Sequence, residues 1–138
     1  MNNKFTRLLF LLALAYNQSA AIGLQKKSCS SFFTISTALG DCSVIVTTSI
    51  ENGKIKSYDF EVEADINVLQ DECIASAAFL RKYIQGSSPE SILNLSEQLL
   101  LQNRQHSEPL LDTDPELHKV IPLRALKNGL LTYLRQEN

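Results

Sequence analysis

Two alternating runs joined by Asn52-Gly53 constrain this chain more than any other feature. From Cys42, the residues Val44, Val46, Thr48 and Ile50 fall on one side of an extended strand, and Ser43, Ile45, Thr47 and Ser49 on the other. From Ile55 to Ala64, Tyr58, Phe60 and Val62 share a side, opposite Ser57, Asp59, Glu61 and Glu63. Asn-Gly between two such runs is a hairpin signal. A two-residue loop sets Val46 against Asp59 and mixes the faces. A three-residue loop, Glu51-Asn52-Gly53, sets Val46 against Tyr58, Val44 against Phe60 and Cys42 against Val62. A one-residue slip inverts every side chain, so the apolar pattern selects the three-residue loop, with Gly53 left-handed in a bulged turn. Phe32-Phe33-Thr34-Ile35 reads as a short edge strand.

The period changes near Asp71. Cys73, Ala77, Leu80 and Ile84 recur at helical spacing, with Ile74 and Ala78 beside them. Asp71 and Glu72 suit the start of that helix and Gly86 its end. Ser88-Pro89-Glu90 opens another helix, whose stripe is Ile92, Leu95, Leu99 and Gln102. Residues 103–113 are polar and read as a loop. Asp114-Pro115-Glu116 is a further start signal. Pro122 makes the last helix kink or restart, and Leu123, Leu126, Leu130 and Tyr133 or Leu134 complete its stripe. Strands followed by helices predict an α+β domain: a small antiparallel sheet of about three strands, covered on one face by the C-terminal helices. Its 138 residues suit one domain, here residues 22–138.

Residues 1–21 carry two readings. Lys4 and Arg7 precede an apolar run, Leu8 to Ala15, and Ser19-Ala20-Ala21 offers small residues for a signal peptidase. The run is too short to span a bilayer. The other reading is an extra N-terminal helix ending near Gly23.

Composition and motifs narrow the function. Lys plus Arg is 13 and Asp plus Glu is 15, a net charge of −2, which leaves no positive field to hold nucleic acid. Phosphate-binding glycine loops, GxSxG, HExxH and paired CxxC motifs are all absent, so no zinc-finger or ferredoxin signature is present. Asp41, Cys42, Cys73 and His118 are the one mixture of carboxylate, thiol and imidazole that suits zinc or iron. Cys42, Cys73 and His118 each have a plainer reading. Cys73 lies on an apolar stripe, free cysteine is commonly buried, and His118 is a lone polar residue near a helix start. Cys29 sits in a serine-rich run, His106 in the polar loop.

The order of signals resembles the iron–sulfur cluster assembly scaffold family, of the IscU and NifU N-terminal domain type. Leu39-Gly40-Asp41 precedes a strand, a Glu-Asn-Gly turn and a second strand. The small-residue helix Cys73-Ile74-Ala75-Ser76-Ala77-Ala78 follows, then Tyr83 to Glu90, and the tail Pro122 to Leu130 closes the pattern. The likeness covers about residues 39–134, by order of elements more than by identity. Ile22-Gly23-Leu24 matches the turn that ends the family's first helix. The resemblance implies a cytoplasmic scaffold, not an enzyme, that holds a nascent iron–sulfur cluster, or iron or zinc, with a cysteine desulfurase and cluster-transfer proteins as partners. Asp41 matches the family aspartate. The family's cysteine positions fall at Leu39, near Gln70 and near His118, so Cys42 and Cys73 each stand about three residues beyond a ligand position. Either loop shifts rebuild a site from Asp41, Cys42, Cys73 and His118, or the site is lost. The alternative is a small secreted or periplasmic binding module without metal, in which Cys42 pairs with Cys29 or Cys73.

Overall fold

The computed structural model describes residues 26–101 and 116–137. The N-terminal segment 1–21, the polar loop with His106 and the Asp114-Pro115 start signal lie outside them. Three long antiparallel strands, β1 (Lys26–Thr37), β2 (Gly40–Glu51) and β3 (Lys54–Ala64), form a sheet in the order β1-β2-β3. Helix α1 (Asn67–Ile84) lies over β3, and helix α3 (Ile121–Glu137) over β1 and β2. Between them come the short α2 (Pro89–Leu93) and 3-10 turns at Glu97–Leu100 and Leu117–Lys119. The expected α+β class is present.

The hairpin register differs from the sequence reading, for a definite reason. Asn52 and Gly53 both have positive φ (55° and 75°), and Glu51 pairs with Lys54, so the loop has two residues, not three. Positive φ at both central residues gives a turn whose twist matches that of paired strands. The mixed faces are avoided by an irregularity between Ser49 and Ile50: Ile50 pairs with Ile55 but Ser49 with Ser57, leaving Lys56 as an extra residue. Beyond it Val46 faces Phe60, Val44 faces Val62 and Cys42 faces Ala64. Apolar still meets apolar, two residues further along β3 than the three-residue loop demanded.

Strand β1 runs twelve residues rather than the four expected, placing Cys29, Ser31, Phe33 and Ile35 toward the helices. The opposite face is rich in hydroxyls, paired across strands as Thr34 with Ser43 (2.9 Å) and Ser49 with Ser57 (2.6 Å). Ile45 is buried within it.

Helix α1 starts at Asn67, one turn before the expected Asp71, so Asp71 and Glu72 lie beyond its first turn and do not cap it. Leu69, Cys73, Ser76, Ala77, Leu80 and Ile84 are buried, while Ile74 and Ala78 face outward. Both ends are tied to the sheet. At the start, the Asp65 N–H donates to the Asp41 carbonyl (3.0 Å) and the Asp41 N–H to the Asp65 carboxylate (2.8 Å). At the end, Gly86 has φ 82°, its N–H donates to the Ile55 carbonyl (2.7 Å), and the Ile55 N–H donates to Ser87 (2.8 Å). Ser88 caps α2 as expected, but the helix stops at Leu93 and Ser96 caps a separate 3-10 turn, so the predicted stripe to Leu99 breaks into two pieces. Helix α3 begins beside Pro122: the chain restarts there rather than kinking.

Gly129 lies in α3 against β1. A Cβ there would sit 2.9 Å from Ser31 Oγ, a hydroxyl already donating to the Ala125 carbonyl. Gly to Ala in a helix ordinarily stabilises by up to about 1 kcal/mol. Gly129→Ala is instead expected to destabilise by about 1–3 kcal/mol in denaturant unfolding. Ser31→Ala combined with Gly129→Ala should recover part of that loss.

Candidate binding site

Two neighbouring arrangements lie under and beside α1. The first is the pair Cys42 and Cys73. Cys42 is near the start of β2, opposite the last residue of β3. The chain turns at Asp65-Ile66, and Cys73 comes two turns into α1. The helix thereby carries its thiol back over the end of the sheet, into the same buried cluster as Cys42. Both side chains are fully buried (0%) in one apolar cluster with Val44, Val62, Leu69 and Leu80. The Cys73 S–H bond pulls the Cys42 thiol down, while that same bond, burial and the Cys42 charge push Cys73 far up. Burial also raises Cys29, half-buried on β1, and the Tyr58 hydroxyl, which donates to the Ala77 carbonyl (2.7 Å).

The second arrangement is polar. His118, 4% exposed in the second 3-10 turn, bonds through Nε2 to Glu72 Oε1 at 2.7 Å. Its Nδ1 is buried without a hydrogen-bond partner. Lys119 lies 3.8 Å from Glu72 and 3.4 Å from Glu116. Arg124 grips Glu97 through two nitrogens, at 2.6 and 3.1 Å, fixing the first 3-10 turn to α3. Between α1 and these turns opens a cleft of about 300 Å³, lined by Glu72, Ala75, Ser76, Phe79, Leu99, Leu100 and Lys119. Phe79 is 39% exposed at its wall. Lys82 lies over the Phe79 ring at 4.3 Å, so the apolar wall runs into a cation.

The four residues singled out as metal ligands are thus divided. Cys42 and Cys73 come together. Asp41 does not join them: it precedes Cys42 in a strand, and successive side chains point to opposite faces. Its own is exposed, while its backbone holds the corner at Asp65. His118 is engaged by Glu72. Among the described residues no three His, Cys, Asp or Glu side chains gather as a metal would require. Cluster ligation needs thiols that open to solvent for delivery and release, and this pair is sealed in the core, so the residues present do not fit a cluster. Glu72 is the residue that sequence reasoning placed elsewhere. Its partner His118 is 46 positions away, and no local pattern reports such a pair. Comparison of the sequence with protein-family models and with curated proteins finds no match to either.

Burial has a pH consequence. Cys29, Cys73 and Tyr58 hold their protons more tightly in the folded chain than unfolded. Their contribution is complete below about pH 9, the ordinary cysteine value, and is lost as pH rises above it. Cys42, shifted the other way, offsets part of this. The midpoint of thermal unfolding under reducing conditions should therefore fall between pH 8 and pH 10, flattening in a Cys29→Ser variant. Native protein should alkylate slowly at Cys29 alone, with Cys42 and Cys73 reacting only after denaturation.

Proposed function

We propose that this chain is a non-enzymatic, scaffold-like binding protein of iron–sulfur assembly that works through partner contacts and holds no cluster of its own. The observation that carries the reading is the placement of the thiols. The thiols nearest the family's ligand positions, Cys42 and Cys73, are packed in the core, while the adjacent cleft stays open, apolar on its Phe79 and Leu99 side and charged at Glu72 and Lys119. The resemblance of residues 39–134 to the scaffold family supplies the partner class, a cysteine desulfurase or a cluster-transfer protein. The cleft supplies the surface, since an exposed aromatic side chain such as Phe79 can serve as an anchor when a partner covers it.

Two measurements test the two halves of this reading. Purified protein treated anaerobically with ferrous iron and sulfide should stay without a thiolate–iron charge-transfer band. A band weakened in Cys73→Ala would restore the cluster-holding reading. In calorimetric titration a purified cysteine desulfurase should bind the wild type and bind Phe79→Asp at least about tenfold more weakly, with unfolding of that variant changed by less than about 1 kcal/mol. No binding by the wild type would remove the partner.

A second reading, a secreted or periplasmic binding module, is favoured by the contact between Cys42 and Cys73, since oxidising compartments let adjacent thiols pair. Intact mass of protein recovered from its native host separates the two: loss of residues 1–21, leaving Ile22 first, supports export and counts against cytoplasmic cluster assembly.

A further inference from the structure

We infer that Cys42 and Cys73 are a covalent modification site, closing a disulfide that staples β2 to α1. The inference rests on the geometry of the pair and stands whether or not the partner reading does.

Position selects this pairing from the three that the cysteines allow. Cys42 pairs in register with Ala64, and nine residues later the returning helix brings Cys73 down into the same fully buried cluster as Cys42. Cys29 is excluded by the sheet. It lies opposite Thr48, whereas Ile35 lies opposite Cys42. Six residues of strand separate those positions, about 20 Å at strand rise, against the roughly 4.4–6.8 Å between Cα atoms that a disulfide spans. The contact is also held from both sides. The Asp41–Asp65 bonds fix the corner between β3 and α1, and the Tyr58 hydroxyl fixes the Ala77 carbonyl one turn beyond Cys73. These ties hold the backbones of β2 and α1 in place on either side of the two cysteines.

The reaction is thiol–disulfide exchange with a low-molecular-weight disulfide such as oxidised glutathione. One cysteine thiolate attacks a glutathione sulfur, and a glutathione thiolate leaves, giving a mixed disulfide. The second cysteine thiolate attacks the protein sulfur of that mixed disulfide and displaces the second glutathione. The protein dithiol is oxidised, one glutathione disulfide is reduced to two thiols, and protons balance. Since both thiols are sealed in the folded core, the exchange occurs while the chain is folding or when the end of the sheet opens.

The experiment uses the full chain. It is denatured, reduced and refolded in a glutathione buffer at oxidising poise, then alkylated under denaturing conditions and digested. The expected product is about 2 Da lighter than the reduced chain, yields a joined Cys42–Cys73 peptide and carries alkylation at Cys29 alone. It should melt on the order of 10 °C above the reduced form. Cys29→Ser should behave identically, and Cys73→Val should lose the mass change. Three alkylated cysteines after oxidative refolding, or a bridge that includes Cys29, would overturn the inference. The iron and desulfurase measurements read different properties, so either proposal can fail alone.

Discussion

The inner row of β2 is the constraint on which the rest of the molecule depends. Cys42, Val44, Val46, Thr48 and Ile50 all point to one side and are all buried, beneath α1 and α3. A buried Val or Ile side chain is worth roughly 1.5–3 kcal/mol, so this row resists any slip that would turn it outward. That resistance explains the irregularity at Lys56: the Asn52-Gly53 turn sets one parity, the buried row demands the other, and one extra residue reconciles them. It also explains the fate of Asp41 and Cys42. Once Cys42 belongs to the inner row, Asp41 must lie on the other face, and no loop adjustment brings both to one metal ion.

The sequence made the strands legible where alternation was regular, and the helix limits where a residue with one special conformation stood, as at Gly86 and Ser88-Pro89. It concealed three things. The length of β1 was hidden because its outward residues are serines and threonines, which look like a loop until cross-strand hydroxyl pairing is seen. The start of α1 was hidden because Ile66 caps it without a side-chain bond, so Asp71 and Glu72 looked like the nearest start signal. The break after Leu93 was hidden because the apolar spacing continues across it while the backbone does not. Of the site, Cys42 and Cys73 were legible as a grouping only through their shared capacity to bind metal. Their burial as a pair was not, since it depends on the angle at which α1 returns over the sheet.

His118 and Glu72 show how the polar side is built. A buried imidazole whose Nε2 meets a carboxylate fixes the short turn at Leu117–Lys119 against α1, and Lys119 is then held beside the same carboxylate. With Arg124 holding Glu97 on the other side, both walls of the cleft are set by ion pairs that bridge separate elements. The Phe79 wall keeps its shape by belonging to a helix anchored at both ends.

Among the described residues β1 and β3 are the outer strands of the sheet, and sheet borders in general invite a second chain to join. On β3 the side chains at Asp59, Glu61 and Glu63 form a negative row along that border. A second copy laying its β3 antiparallel against this one would set its own acidic row alongside on the same face, and like charges opposite one another disfavour that pairing. The row thus works against that one mode of self-association, and less strongly as salt screens it.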